Sequence, residues 1–444
     1  MTKAISQTQL KSYCKDVQAR PSTAVIRRAV TKNGIYASAQ DAQTIIDNTP
    51  IFSIDLDTGK VANQKQSGRC WMFAALNTMR HEVKDLFKLP DGFELSQNYT
   101  FFWDKFEKAN YFYENIIKTA DKALSSRKVS FLLQTPQQDG GQWDMIVALI
   151  EKYGVVPQSV YPEAQASSAS RELNITLNLK LRKDAVTLRK LVNDGAKTDA
   201  IEAAKDAMLQ EIYRFLSLTL GEPPVKFDFE YRDDKQEYHL DQGLTPKSFY
   251  DKYVGWDLSE YVSVINAPTE DKPYNHTYSV EMLGNVVGGR EVKHLNVEIA
   301  TFKELAIKQL SAGQSVWFGV DMGPQIERDN GLMATGIHRE DELFDIDLSM
   351  TKAERLDYGE SLMTHAMVLT GVDLVDGKPT KWKVENSWGD KIGNKGYFTM
   401  SDDWMSEYCY QVVIKKEFLP ANLVAAYDEK PTELQPWDPM GALA

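Results

Sequence analysis

Apolar side chains recur at steps of three and four along the segment that begins at Cys70. In CWMFAALNTMRHEVKDLF five apolar residues fall on one helical face: Phe73, Leu76, Met79, Val83 and Leu86. This spacing predicts an amphipathic helix that begins at or just before Cys70. The same pattern predicts three further helices: Ser6 to about Gln18, a block from about Ser96, and Trp143 to Lys152 before Gly154.

The pattern changes twice further along the chain. Residues 165 to about 220 are rich in Ala, Lys and Glu and predict two long helices, split near Asn193-Asp194-Gly195. From Val225 the residues alternate, which predicts a hairpin that turns at Arg232-Asp233-Asp234. Beyond about Tyr274 the segments are short and typical of strands: VWFGVDM, HAMVLTGVDL, KWKVENSW and YCYQVVI.

These patterns predict an α+β fold in five parts. They are an N-terminal helix and irregular arm (1–60), a helical half (61–164), a helical and hairpin insertion (165–270), a β-rich half (271–420) and a C-terminal arm (421–444). Three prolines in the final PTELQPWDPMGALA exclude a regular helix there.

Composition and charge exclude some classes of partner. The 444 residues are 43% hydrophobic and 26% charged, as in an ordinary globular protein. No uncharged apolar run reaches the length of about 18 residues that a membrane helix needs, and the N-terminus lacks the apolar core of a secretory signal. The formal charge of −12 argues against nonspecific nucleic-acid binding. The densest basic stretch, Lys180 to Lys190, is interpreted as a solvated helix face.

The cysteines indicate both a compartment and a nucleophile. Cys14, Cys70 and Cys409 are too few, and odd in number, for a disulfide framework, so we expect a cytoplasmic protein. Only Cys70 stands where a helix begins, so that free backbone N–H groups and the helix dipole favour its thiolate. Cys409 lies in an apolar strand, where burial disfavours the thiolate. By position alone, Cys70 is either a nucleophile or a small buried hydrophobe.

The histidines offer one candidate base. Five of the six lie in polar or charged surroundings, and only His365 opens an apolar strand, HAMVLTGV. Taken alone, His365 can equally be read as a core residue. Asn386 follows in the sequence Asn386-Ser387-Trp388-Gly389. An Asn amide can fix the tautomer of an imidazole, and the indole of Trp388 can shield that hydrogen bond from water.

Four short blocks therefore follow one another in chain order. They are Asn63 to Phe73 around Cys70, Asp139-Gly140-Gly141, His365, and Asn386 to Gly389. Together they resemble the motifs of the papain family of cysteine peptidases. The resemblance implies Cys70 as nucleophile, His365 as base and Asn386 as its orienting partner. It further implies that Gln64 and the Cys70 N–H form the oxyanion hole, and that the backbone of Gly140 and Gly141 binds peptide.

Two departures from the papain motifs indicate a particular branch of that family. Ser67 and Gln138 stand where secreted papains have two cysteines joined in a disulfide, which supports a reducing compartment. His365 follows Cys70 at nearly twice the usual separation of about 130–150 residues, and the insertion accounts for the surplus. These departures point to the bleomycin hydrolase and bacterial aminopeptidase C family, which the whole chain resembles. The resemblance includes the sequence segments Ala29–Ile35 and Trp437–Ala444. That family forms a hexameric barrel with its active sites facing an inner chamber.

The C-terminal arm has two interpretations. A terminus with prolines is usually frayed, but the last five residues, Met440 to Ala444, are slim and uncharged apart from the terminal carboxylate. The thirteen residues from Thr432 to Ala444 reach about 40 Å when extended. The family resemblance implies that the arm lies in the cleft and that the Ala444 carboxylate holds the free amine of the substrate.

We therefore expect a cytoplasmic, homohexameric thiol aminopeptidase that acts on peptides with a free N-terminus and needs neither a metal nor a cofactor. Its expected site residues are Cys70, His365, Asn386 and Gln64 for catalysis, and Gly140, Gly141, Trp388 and Ala444 for substrate binding. The alternatives are an endopeptidase of the same family and, from a different class, a catalytically idle scaffold or a nucleic-acid-binding homologue. Neither a membrane nor a nucleic acid is expected as a partner.

Overall fold

The computed structural model describes residues 4–444. Its N-terminal segment is more helical than the sequence pattern indicates. Its elements are α1 (Gln7–Ala19), α2 (Thr23–Asn33), α3 (Ile35–Ala39), α4 (Ala42–Asp47) and the strand β1 (Ile54–Asp55). A capping box starts α1, because the Ser6 hydroxyl accepts from the Gln9 N–H and the Gln9 side chain accepts from the Ser6 N–H. The predicted first helix is confirmed. The prediction of an irregular arm after this helix was wrong. Helices α2, α3 and α4 have only 5 to 11 residues, too few to show a clear hydrophobic period.

The helical half follows. Its helices are α5 (Cys70–Phe87), α6 (Gln97–Lys118), α7 (Arg127–Gln134), α8 (Trp143–Tyr153), α9 (Gln165–Ser168), α10 (Arg171–Asn193), α11 (Thr198–Leu220) and α12 (Pro246–Phe249), with a π-helical turn at Tyr250–Val254. The predicted start of α5 at Cys70 is confirmed. Gly154, with φ of 70°, ends α8 as predicted, because its N–H reaches the Ile150 carbonyl in a conformation that favours glycine.

The long helices of the 165–220 region pack on the helical half rather than standing apart from it. Both α10 and α11 contact α6, and their buried leucines join one hydrophobic core with α5 and α8. The predicted hairpin is confirmed as β2 (Phe227–Arg232) and β3 (Tyr238–Leu244), and its Phe229 enters the same core. The division of the chain into five parts stays a prediction.

The β-rich half is built on one large sheet. Its strands are β4 (Tyr261–Ile265), β5 (His276–Val280), β6 (Lys293–Asn296), β7 (Val316–Val320), β8 (Ile326–Glu327), β9 (Leu332–Met333), β10 (His365–Val375), β11 (Lys378–Glu385), β12 (Tyr397–Ser401), β13 (Cys409–Lys415) and β14 (Thr432–Leu434). Their order is β14-β5-β6-β4-β13-β7-β10-β11-β12-β9-β8, and β1 is added to β10. Its helices are α13 (Ile299–Ser311), α14 (Glu340–Phe344), α15 (Lys352–Asp357), α16 (Asp402–Tyr408) and α17 (Ala421–Asp428).

A tight hairpin between β10 and β11 brings two distant polar residues together. Val375 pairs with Lys378, and the two residues between them, Asp376 and Gly377, both have positive φ. This is the turn geometry whose twist matches an antiparallel pair. After two irregularities in the ladder, Val368 pairs with Glu385, and His365 at the start of β10 lies beside Asn386, which follows the end of β11.

The two halves meet where α5 packs against β10 and β7. The indole N–H of Trp317 on β7 donates to the carbonyl of Trp71 on α5, at 3.1 Å. The C-terminal arm pairs with β5 through β14, makes a 3₁₀ turn at Pro439–Gly441 and returns to the helical half. Among the described residues, no helix combines the length and the apolar character that a membrane span requires.

Candidate active site

Cys70 lies buried at the first turn of α5, with 2% of its surface exposed. The backbone N–H groups of Ala366, Trp71 and Cys70 itself face the sulfur and favour the thiolate. Burial has the larger effect, and it raises the pKa of the Cys70 thiol to about 11. Position at a helix start therefore indicated real donors to the sulfur but not the burial that opposes the thiolate.

His365 and Asn386 form a hydrogen-bonded pair. The imidazole Nε2 lies 2.9 Å from the Asn386 Oδ1, and the same oxygen accepts from the Ser387 N–H at 2.7 Å. Because a backbone N–H can only donate, the Asn386 oxygen must face it, and the imidazole must then donate through Nε2. That tautomer leaves Nδ1 with a free lone pair. Burial lowers the pKa of His365 to about 4, so the imidazole is neutral near pH 7.

Trp388 covers one side of the imidazole. The two ring centroids are 5.2 Å apart, with the planes tilted by 37°. The Arg328 guanidinium lies over the same indole, 5.3 Å from the ring centroid. Its positive charge lowers the pKa of His365 further, in addition to the effect of burial. The indole is thus in a position to limit water access to the His365 ring.

Gln64 is held beside the Asn386 segment. Its Oε1 accepts from the Ser387 hydroxyl at 2.5 Å, which fixes the amide orientation, and its Nε2 donates to the Ser67 carbonyl at 2.7 Å. An amide nitrogen has two hydrogens, so one remains for another acceptor. The backbone adds a further link, because the Gln64 N–H donates to the Ser387 carbonyl at 2.8 Å.

The C-terminal residues lie along the glycine pair. The Gly141 N–H donates to Ala444 O at 3.1 Å, and the Ala444 N–H donates to the Gly141 carbonyl at 3.3 Å. A Cβ on Gly140 would lie 2.6 Å from Ala444 O, and one on Gly141 would lie 2.5 Å from the Trp71 ring. Both positions therefore require glycine for this close approach. Gln142 Nε2 adds a hydrogen bond to the Ala442 carbonyl at 2.5 Å, and Ala444 is 4% exposed.

Several buried titratable side chains were not predicted from the sequence. His81, expected on a polar face of α5, is buried and lies 3.0 Å from the Glu385 carboxylate, which also pairs with Arg80 at 3.0 Å. His294, also expected in charged surroundings, is buried against the Ser263 hydroxyl. Only the position of Glu385 directly before Asn386 could have drawn attention to it, because periodicity cannot show where a charged side chain is buried.

A possible metal-ligand group occurs away from these residues. At the β2–β3 hairpin, single ligand atoms of Asp233, Glu237 and His239 lie within 4.8 Å of one another. The Asp233 carboxylate already accepts backbone hydrogen bonds from Lys235 and Glu237 and one from the His239 ring. The Asp233 carboxylate and the His239 ring are thus engaged within the hairpin, which lies outside the elements that hold Cys70 and His365.

A helix that begins at a thiol, packed against strands that hold an imidazole and its amide partner, is the arrangement of papain-like cysteine peptidases. Comparison with known proteins leads to the same class. The profile of the Peptidase C1-like family matches residues 4–441, and the chain belongs to this family.

Individual relatives narrow the activity. Aminopeptidase C of Lactobacillus delbrueckii subsp. lactis is 58% identical over 100% of this chain and 99% of its own length. Aminopeptidase C of Streptococcus thermophilus is 59% identical over 97% of this chain and 96% of its own. The crystal structure of PepW from Lactobacillus rhamnosis HN001 superposes with a TM-score of 0.98, at 66% identity and full coverage of both chains. The chain is a cysteine aminopeptidase with the expected α+β, papain-like fold.

Proposed function

We propose that this cysteine aminopeptidase releases single N-terminal residues from peptides through an acyl-enzyme formed on Cys70. Nδ1 of His365 takes the thiol proton as the sulfur attacks the scissile carbonyl. The imidazolium then gives that proton to the leaving amine, and the C–N bond breaks. A water molecule, deprotonated by the same nitrogen, hydrolyses the thioester and restores the thiol. Asn386 keeps the imidazole in the tautomer that accepts at Nδ1.

The oxyanion of each tetrahedral intermediate needs donors that are already in place. We assign this role to the Cys70 N–H and to the remaining hydrogen of the Gln64 amide. The hydrogen bonds of Gln64 to Ser67 and Ser387 support the assignment, because they hold the amide rigid before substrate arrives. Trp388 then limits water access to the His365–Asn386 hydrogen bond.

The position of Ala444 is the observation that carries the exopeptidase assignment. Its two hydrogen bonds to Gly141 resemble the pairing of a peptide strand, so the tail occupies the place that residues before the substrate N-terminus would otherwise take. The nearby Lys108, which donates to the Gly140 carbonyl, is already paired with Asp104 at 2.8 Å. The buried Ala444 carboxylate therefore remains available for the α-ammonium group of a substrate.

Deletion of Gly441 to Ala444 tests this proposal. The assay compares fluorogenic aminoacyl amides with a free amine and the same compounds with an acetylated amine. We expect the truncated enzyme to lose most of its hydrolysis of free-amine substrates and to gain hydrolysis of blocked ones. An unchanged rate on free-amine substrates, with blocked substrates still refused, would contradict the role of Ala444. Hydrolysis of the acetylated substrates by the truncated enzyme would show that the tail alone holds back the endopeptidase alternative.

We further propose that the enzyme is a cytoplasmic homohexamer. All three cysteines are free thiols, which suits a reducing compartment. Helix α1 has no buried residue and exposes an apolar stripe of Leu10, Tyr13 and Val17, a face that a second copy of the chain would cover. Light scattering of the intact protein is expected to give six times the chain mass. Replacing Leu10 and Val17 together by Glu should lower that mass, and a monomeric wild-type protein would contradict the proposal.

A further inference from the structure

The carboxylate of Asp139 joins two loops of the active site. It accepts from the Gly68 N–H at 3.0 Å, from the Ser170 hydroxyl at 2.5 Å and from the Asn174 amide at 2.8 Å. Lys105 supplies the opposite charge at 2.7 Å. Gly68 is two residues before Cys70, and Asp139 directly precedes Gly140. One buried side chain thus links the nucleophile loop to the glycine pair.

The main chain of Asp139 is held as closely as its side chain. The indole N–H of Trp71, the residue after Cys70, donates to the Asp139 carbonyl at 2.8 Å. A Cβ on Gly68 would lie 3.0 Å from the Asp139 Cβ, so the two loops are in close contact. Ser67 and Gln138, where the papain resemblance would place two disulfide-bonded cysteines, lie next to this contact in the sequence.

Two lysines of α6 fix the rest of the glycine loop. Lys105 donates to the Gln137 side chain at 2.6 Å. Lys108 donates to the carbonyls of Gln138 and Gly140, at 2.9 and 2.7 Å. Each lysine has a buried carboxylate within 2.8 Å, and this pairing, together with the hydrogen bonds, opposes the desolvation of the charges. The loop therefore has few alternatives to its observed position.

We propose that Asp139 is a positioning residue for the peptidase reaction: it fixes the distance between the Cys70 nucleophile and the Gly140–Gly141 backbone that aligns the tail and the substrate. This proposal rests on Cys70 being the nucleophile. A buried carboxylate would then connect the two loops that a disulfide connects in secreted papains.

Electrostatics separates this role from a direct effect on the thiol. Burial is the main reason why the Cys70 pKa is high, and the negative charge of Asp139 raises it further. Removing that charge should make the thiolate easier to form. A loss of turnover on neutralising Asp139 must therefore come from geometry and not from thiol ionisation.

The test compares two reactions of the Asp139→Asn enzyme. Both are measured in a Cys14→Ser background, because Cys14 is an exposed thiol that iodoacetamide would also alkylate. Alkylation then needs a reactive Cys70 but no aligned peptide, whereas amide hydrolysis needs both. We expect kcat/KM for a free-amine aminoacyl amide to fall by about 10- to 100-fold, the worth of one charged hydrogen bond at about 1.5–3 kcal/mol. The midpoint pH of alkylation should stay or move downwards. An unchanged kcat/KM, or equal losses in both reactions, would overturn the proposal.

Asp184→Asn is the matched control, because Asp184 is an equally buried carboxylate that pairs with Lys180 and the Tyr113 hydroxyl away from both loops. It should keep kcat/KM within about twofold of wild type. If Asp139→Asn fails to fold, Ser170→Ala provides the test, because it removes one hydrogen-bond donor to Asp139. A several-fold lower kcat/KM with unchanged alkylation supports the proposal. An unchanged kcat/KM overturns it. If alkylation of wild-type Cys70 leaves hydrolysis intact, the nucleophile assignment itself is wrong.

Discussion

A methyl group added to Gly140 should displace the C-terminal tail. The Cβ of Gly140→Ala would lie 2.6 Å from Ala444 O and 3.0 Å from the Leu443 Cβ, closer than nonbonded atoms normally approach. The loop side of this contact is fixed, because Lys108 holds the Gly140 carbonyl. The tail is the side free to move. Gly140 does not have a positive φ, so alanine causes no backbone strain of its own.

The magnitude follows from what holds the tail in place. Ala444 exchanges two hydrogen bonds with Gly141, and Ala442 accepts one from Gln142. At about 1 kcal/mol net for each hydrogen bond, the loss is about 3 kcal/mol. Since about 1.4 kcal/mol corresponds to a factor of ten, the ratio of docked to undocked tail should fall by about 100-fold.

The assay again compares free-amine and acetylated aminoacyl amides. In Gly140→Ala we expect a drop of at least about tenfold in kcat/KM for the free-amine substrate, because most of the docked population is lost. Hydrolysis of the acetylated substrate should appear. Gly92→Ala is the matched control, since no atom lies within 4 Å of its Cβ position and its φ is not positive. Equal kinetics in the two variants would refute the assignment of Ala444 to substrate selection.

Three other predictions concern catalysis and stability. Cys70→Ser should abolish measurable amide hydrolysis while circular dichroism and the melting temperature stay near wild type; retention of a tenth of the activity would remove Cys70 from the mechanism. Glu385→Gln should lower the free energy of unfolding by about 3–5 kcal/mol in urea titrations, because it leaves Arg80 and His81 buried without their carboxylate, and a loss below about 1 kcal/mol would contradict this. Burial lowers the pKa of His294 to about 4. Between about pH 6.5 and 4 the unfolded state therefore binds more protons than the folded state. The free energy of unfolding falls by up to about 3 kcal/mol as the pH drops through that window. His294→Gln should flatten the slope of unfolding free energy against pH there, and an unchanged slope would show that other groups cause it.

Much of the fold could be predicted because its signals are local. The start of α5 at Cys70, the end of α8 at Gly154 and the β2–β3 hairpin each depend on residues within about one or two turns of chain. The helices α2, α3 and α4 were missed because they are short and lie on the surface, where no long apolar stripe is required. A buried face alone was not sufficient, because α13 (Ile299–Ser311) was also missed in the segment expected to form short strands, although its Phe302, Leu305 and Leu310 are buried.

The chemical identity of the candidate residues could also be predicted, but their electrostatic state could not. Position at a helix start indicated a stabilised thiolate for Cys70, whereas burial raises its pKa to about 11. His81 and His294 read as surface residues, yet both lie in the interior. Desolvation depends on the whole set of side chains packed around a group, and these come from distant parts of the chain.

By itself, the sequence determined most of the longer elements and the candidates for the reactive groups, because turn chemistry and periodicity act over about a dozen residues. The meeting of His365 and Asn386 depends on the register of β10 on β11, which has two irregularities between the turn and these residues and was visible only in the structure. Only the tertiary structure decided that Asp139 reaches Gly68 and that Ala444 lies on Gly141. These contacts join segments far apart in the chain, and their existence depends on how the two halves and the C-terminal arm pack against one another.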